Sequence, residues 1–356
     1  MLIARYLTKE VYTTLVATTL VLLFIFISNQ FIHFLYSAAA GKISAHLIAL
    51  LLLLKTPVLL GTLLPLSLFL AILLSYGRMH ADNEMVVMFT SGVSHSKILK
   101  ITMAFALLIT LIIAALMLWI SPPINKYTEN LLSKGALSPL ELVSAGHFQS
   151  MQNSKWLFYI GGISSDHTKL HDVFAAEIPN RVLTAQSGQQ QRDPKTGNLF
   201  LVLQNGHRYI GTPGAKDYQI VKFDQYWLRI DHGFGRDRFT EFSQSTATLL
   251  HSNSNGAAAE LQWRLSMPIM ALILALMAVP LAQVKTRQKR YAQLIPAIFL
   301  YIIYANFMFL CRSWLHDGKI SHALGVWWLH GTMLLSALLL NLQQMNWQKL
   351  INKFKS

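Results

Sequence analysis

The sequence predicts an α+β membrane protein: six transmembrane helices, three before and three after an inserted all-β domain. Two observations carry this. The chain is 53% hydrophobic and only 13% charged, too little polar surface to cover a soluble fold of its size. That hydrophobicity is also gathered in long runs at the two ends, while Ser121 to Arg264 has the composition of ordinary soluble protein.

A bilayer core of about 30 Å takes roughly 20 residues of apolar helix. Six segments meet that length: 11–36, 47–76, 101–120, 265–284, 291–311 and 323–342. The stretch from Val11 to Tyr36 exceeds the roughly 7–15 residues of a signal h-region. The first helix is therefore expected to be retained, despite the small residues Ser37-Ala38-Ala39-Ala40 that follow it. The expected organisation is residues 1–120 for spans one to three, 121–263 for the β-rich domain, and 264–356 for spans four to six and a tail. Ser252–Ala259 reads as the linker into the fourth span.

The net charge of +14 raises the question of a nucleic-acid partner, and its location answers it. Within 121–263, thirteen Lys and Arg stand against twelve Asp and Glu, so the excess lies around the hydrophobic runs. One side of the membrane receives Arg5, Lys9, Arg78, Lys97, Lys100, Lys285, Arg287, Lys289, Arg290, Lys349, Lys353 and Lys355. The short loops of the other receive only Lys42, Arg312 and Lys319. The positive-inside rule makes the first side cytoplasmic. The expectation is a multi-pass membrane chain with cytoplasmic termini, an extracytoplasmic domain at 121–263, which in a Gram-negative cell means periplasmic, and no nucleic-acid partner. The single cysteine, Cys311, excludes an intramolecular disulfide.

Inside the domain, short runs rich in β-branched and aromatic residues predict strands at Trp156–Ile160, Val173–Ile178, Leu199–Leu203, Tyr218–Phe223 and Tyr226–Ile230. Turn signals at Gly161-Gly162, Asp193 to Gly197, Asn205-Gly206 and Thr212-Pro213-Gly214 separate them. A sandwich, a jelly roll and an open β-groove all satisfy this pattern. If the fold encloses a groove, Leu199, Leu201 and Leu203 or the alternate Phe200 and Val202 face inward.

Catalytic signatures are missing from the sequence: it has no Walker A, HExxH or GxSxG pattern and no paired cysteine ligands. Ser94 to Lys97 has SxxK spacing by accident of composition, and His167 with His171 has a spacing that presents a metal only on a helix. No cofactor is expected, and the chain is not expected to be an enzyme. Polar residues inside the spans are costly and face cavities or partner helices. Asn29, Gln30 and His33 near the outer end of span one, Lys55 in span two and Asn306 in span five are the candidate substrate-cavity residues. For Lys55, snorkelling of the ammonium to the interface is the competing reading. Pro57, Pro65, Pro268, Pro280 and Pro296 interrupt helix bonding.

Between spans two and three, Arg78–Lys100 predicts a short amphipathic helix at 82–91. Asp82-Asn83 is placed to cap it, Glu84 sits in its first turn, Met85, Met88 and Phe89 share one face, and Gly92 ends it. Either the helix is a lid held on the bundle, with Glu84 serving the helix dipole, or it couples to a cytoplasmic partner.

The sequence resembles the lipopolysaccharide-export permease family LptF/LptG. The resemblance runs through Arg5-Tyr6-Leu7, Leu64-Pro65-Leu66-Ser67-Leu68-Phe69-Leu70, Asn83-Glu84-Met85-Val86-Val87-Met88 and Ala259-Glu260-Leu261-Gln262-Trp263-Arg264, the last looking like the LptF branch. It implies a jellyroll-like periplasmic domain and a permease subunit that extracts lipopolysaccharide for a periplasmic bridge. It also implies an LptG partner, a dimer of the ATPase LptB, the protein LptC and contact with membrane lipid. ATP hydrolysis would lie in the partner. Glu84 matches the family's coupling glutamate, with Asp82, Met85, Met88 and Phe89 completing the expected coupling site. The family's basic residues near the outer end of span one are here Asn29, Gln30 and His33. Other classes remain open: a permease of another lipid or lipoprotein exporter, or a membrane-anchored periplasmic scaffold that transports nothing.

Overall fold

The computed structural model describes residues 2–39, 43, 45–135, 146, 148–150, 156–164, 169–177, 181–192, 199–211, 219–230, 241–283 and 294–353. Two compact units emerge. One comprises Met1–Ile32, Ala49–Thr128 and Glu241–Ser356, and the other His33–Ile48 and Glu129–Thr240.

The first unit is a helical bundle. Its elements are α1 (Leu2–Ala39), α2 (Ile48–Ala81), α3 (Glu84–Thr90), α4 (His95–Ala115), α5 (Ser121–Gly135), α6 (Thr246–Leu250), α7 (Asn255–Leu281), α8 (Leu294–His316) and α9 (Trp327–Lys353). The ends of α1, α2 and α5 lie in the second unit or run into it. Among the described residues, five segments are long and apolar enough to cross a membrane: Leu2–Ala39, Ala45–Ala81, His95–Leu132, Asn255–Leu281 and Leu294–His316. The sixth expected span is α9, a 27-residue helix that is more polar than the other five for a visible reason. The buried His330 shares hydrogen bonds with Tyr304 (2.5 Å) and Ser266 (2.8 Å), and Asn341 donates to the Leu276 carbonyl at 3.0 Å. Its polar residues fasten α9 to α7 and α8.

Prolines explain one of these fastenings and one elsewhere in the bundle. Pro280 has no N–H to offer the carbonyl four residues back, and that carbonyl, Leu276, is the one Asn341 occupies. Pro122 likewise frees the carbonyl of Leu118, which accepts the Thr246 hydroxyl at 2.6 Å. Just before Pro122, α4 passes into α5 through one π-helical turn, Leu116–Ile120, in which the Ser121 N–H bonds to the Leu116 carbonyl. The π-turn lies against Gly61 of α2, where an added Cβ would fall 2.7 Å from Met117 Sδ.

The helices overrun the expected domain limits. Span three continues to Gly135, and α7 starts at Asn255 with Ser254 as its N-cap, accepting from the Ala257 N–H at 3.1 Å. The residues read as a linker at 252–259 are thus a helix start. Ser94, the first residue of the SxxK pattern, caps α4 in the same way by accepting from the Lys97 N–H.

The second unit holds a six-stranded antiparallel sheet in the order β1-β2-β3-β4-β5-β6: Gln149–Ser150, Trp156–Ile163, Lys169–Glu177, Arg181–Arg192, Leu199–Ile210 and Gln219–Ile230. Strands follow one another as a meander, so among the described residues the crossing connections of a jelly roll do not occur. Turn signals at Gly161-Gly162 and Asn205-Gly206 lie inside β2 and β5, and the two strands expected over 218–230 are one.

Those internal glycines mark a crease. In four successive strand pairs the ladder lapses at one position, and these positions line up as Gly161, Asp172, Gln186, Asn205 and Asp224. Asp172 and Asn205 have φ of +52°, a conformation Asp and Asn tolerate best after glycine. Buried side chains step by three across this row instead of two: Val173 and Leu170, Leu203 and Gly206. On β6, Phe223 and Tyr226 have ring centroids 5.3 Å apart, a contact that a straight strand forbids because such residues point to opposite faces. Gly206 is required at the bend, since a Cβ there would lie 2.2 Å from the Thr184 carbonyl oxygen. Folding along the crease lets a single sheet enclose its own apolar face: Ile160, Leu170, Val173, Ala185, Leu201 and Leu203, with Phe223 and Tyr226 against them. A second sheet, as in a jelly roll, is not needed to cover it.

Candidate coupling helix and transport path

The coupling segment folds as a helix for reasons partly different from those expected. Asn83 adopts the left-handed conformation (φ 59°) and makes no side-chain cap, so α3 begins as a sharp turn directly after α2. Its C-terminus is a Schellman motif: the Gly92 N–H bonds to the Phe89 carbonyl at 3.2 Å, the Val93 N–H to the Met88 carbonyl at 3.0 Å, and Gly92 has φ 91°.

Met85 is 1% exposed, and Met88 and Phe89 pack half-buried on the same bundle core. The apolar plug expected to enter a partner therefore faces inward, because the helix is too short to stand without that burial. The outward apolar residues are Val86 and Val87, the latter 64% exposed, with Thr90 beside them. Asp82 is exposed in the turn. Glu84 is half-buried and accepts a 2.7 Å hydrogen bond from the Tyr6 hydroxyl of α1. Nearby, Arg78 of α2 and Glu10 of α1 pair at 2.6 Å, and the Ser75 hydroxyl donates to the Glu10 carbonyl and the Thr14 hydroxyl. These contacts bring the start of α1, the end of α2 and α3 to one end of the bundle.

The opposite end carries a buried polar cluster that sequence reading treated only as part of the resemblance. Arg264, 2% exposed at its side chain, gives Nε to Glu260 (2.8 Å), one terminal nitrogen to the Gln244 carbonyl and Thr246 hydroxyl, and the other to the carbonyls of Glu241 and Phe242. Glu260 also pairs with Arg312 at 2.6 Å. The Arg312 guanidinium lies 4.7 Å from the ring centroids of both Phe242 and Trp263, a cation–π arrangement. Gln262 accepts from the Val326 N–H and donates to the His322 carbonyl, fixing the loop between α8 and α9. The legible signal was the i,i+4 Glu260/Arg264 spacing at the start of a span.

The cavity candidates are dispersed. Asn29 is exposed and Gln30 half-buried on α1; His33, exposed, lies on the part of α1 assigned to the second unit; Lys55 is half-buried on α2. Asn306 is exposed on α8 and bonds its own helix, donating to the Ile302 carbonyl at 2.8 Å. Among the described residues no hydrogen bond or ion pair joins these five to one another. Beyond Leu15 no residue of α1 is buried, and Phe24, Ile25, Phe31 and Ile32 are exposed.

On the sheet, Leu201 and Leu203 lie on the concave apolar face, at 6% and 0% exposure. The side chain of Leu199, at the start of β5, falls outside the described residues. Val202 is buried too, outside the concave cluster, and Phe200 meets Trp227 edge-on at 5.7 Å. His171 is an exposed strand residue, and His167 lies outside the described residues.

Residues 5–343 match the family described as the lipopolysaccharide export system permease LptF/LptG. The chain is similar to the lipopolysaccharide export system permease protein LptF of Escherichia coli strain K12, 30% identical over 352 residues that cover 96% of this chain and 95% of that protein. It has the same identity and coverage against LptF of Shigella flexneri. A whole-chain match, a multi-pass helical bundle and an inserted antiparallel sheet agree: this chain belongs to the LptF/LptG family of lipopolysaccharide export permeases.

Proposed function

We propose that the chain is the LptF-type half of an ABC permease in a bacterial inner membrane, extracting lipopolysaccharide and passing it along its creased sheet to a periplasmic bridge. The observation that carries the path is the concave face of Ile160, Leu170, Leu201 and Leu203, apolar along both limbs of the fold. Exposing acyl chains to water costs about 0.8 kcal/mol per CH₂, so a lipid leaving the bilayer needs such a shield throughout. The partners are an LptG permease, an LptB ATPase dimer and LptC. The exposed Asn29 and Asn306 and the half-buried Gln30 suit a cavity completed by the second permease, and no catalytic group is required here.

Coupling falls to α3. Its inner face, Met85, Met88 and Phe89, holds it to the bundle, while Val86, Val87, Thr90 and the free lone-pair positions of Glu84 form the surface offered to the ATPase. Co-expression with the permease and ATPase partners tests this reading. The expected result is one detergent-stable complex that releases lipopolysaccharide from proteoliposomes with ATP. A chain that recovers no ATPase and releases nothing is instead a scaffold.

The basic end of the bundle is cytoplasmic in this proposal and the sheet periplasmic. Cys311 is buried, so introduced cysteines at Asn198 and Gln288 report alone. On intact spheroplasts an impermeant maleimide should label the residue-198 cysteine and spare the residue-288 one. The reverse pattern inverts the topology.

A further inference from the structure

We infer that Tyr6 is a positioning residue for energy coupling, carrying displacement of α3 to α1 through its hydrogen bond to Glu84. The inference rests on Glu84 being the coupling glutamate, and goes beyond it by naming the route from there to the cavity.

Three observations converge. First, the buried residues of α1 all lie in its first half, at Leu7, Val11 and Leu15, and beyond Leu15 its described residues are half-buried or exposed. A helix that is buried along one half passes movement at that half along its length. Second, the anchor is polar and short-range. Tyr6 reaches Glu84 at 2.7 Å, Glu10 reaches Arg78 at 2.6 Å, and the Thr18 hydroxyl reaches the Ser67 carbonyl at 3.3 Å. Third, of these contacts only Tyr6–Glu84 joins α1 to α3; the others join it to α2. A push on α3 therefore has a direct line to α1 through one phenol. The bond is to the first residue of a seven-residue helix, so it ties α1 to the start of α3. Tyr6 itself is 38% exposed, and removing its hydroxyl leaves no buried group unpaired in the core.

The test uses the full complex with its ATPase in proteoliposomes, measuring lipopolysaccharide released per ATP hydrolysed beside the amount of ATPase bound. Tyr6→Phe is expected to leave ATPase binding unchanged and lower release per ATP by about tenfold, the scale of one charge-assisted hydrogen bond. On a Glu84→Ala background, Tyr6→Phe should add nothing. Wild-type coupling in Tyr6→Phe while Glu84→Ala is defective overturns the Tyr6 inference and spares the coupling reading of Glu84. Additive losses in the double variant overturn it too, since Tyr6 then acts elsewhere. If Glu84→Ala itself couples normally, the coupling reading fails and this inference with it.

Discussion

Arg264→Ala is expected to destabilise the bundle by about 3–5 kcal/mol, the usual result of removing one partner from a buried ion pair. The guanidinium makes five hydrogen bonds, one to Glu260 and four to groups of Glu241, Phe242, Gln244 and Thr246. Its loss leaves Glu260 with Arg312 alone and takes the guanidinium from four oxygens, of which the Phe242 carbonyl keeps Asn125 and the Glu241 carbonyl keeps the Gln244 N–H. Thermal unfolding in detergent should show a midpoint far below wild type, with low membrane levels. Arg264→Lys should recover little, because one ammonium cannot reproduce a planar fork that reaches five acceptors. Arg264→Met combined with Glu260→Gln should do no better than Arg264→Met alone, since it takes from Arg312 the carboxylate that it pairs with. A wild-type melting profile for Arg264→Ala would mean that water or another cation replaces the guanidinium.

Glu84→Ala should leave insertion and folding intact while the complex with the ATPase weakens and export falls. The reason is position: Glu84 is half-buried at the rim of α3, and the helix is held by Met85, Met88 and Phe89 whether or not the carboxylate is present. Truncating one member of a desolvated charge pair with a partner arginine costs about 2–5 kcal/mol. A carboxylate serving only the helix dipole contributes about 0.3–1 kcal/mol, so the two roles differ in size. Pull-down of the ATPase and the rate of lipopolysaccharide release read the difference; wild-type values in both leave Glu84 with the dipole role alone.

The membrane class, the alternation of spans and the strand-rich insertion were legible because each depends on local composition and period. Gly92 was read correctly as a helix stop because a Schellman end needs a left-handed residue and little else. The orientation of α3 was not legible: Met85, Met88 and Phe89 share a face in either reading, and only packing decides whether that face looks in or out. Strand β4 escaped because Gln189, Gln190, Gln191 and Arg192 follow Gly188 with little apolar alternation, although its pairing with β3 and β5 is continuous apart from the crease. Asn205-Gly206 is a strong turn signal in isolation, and here the same left-handed preference bends a strand without ending it. Tyr6 and Glu84 are 78 residues apart, and no local pattern brings them together. The same holds for Asn341 and the carbonyl freed by Pro280, although a polar residue in one span and a proline in another are each visible alone.

The central claim, that lipid passes over the concave face of the creased sheet, is tested most directly by a photo-crosslinking residue at Leu203 and, separately, at Leu201. In the assembled complex these positions should capture lipopolysaccharide only when ATP is hydrolysed, while the exposed Ile220 on the edge strand captures none. Absence of adducts at both leucines, in a complex that still releases lipopolysaccharide, would contradict the account.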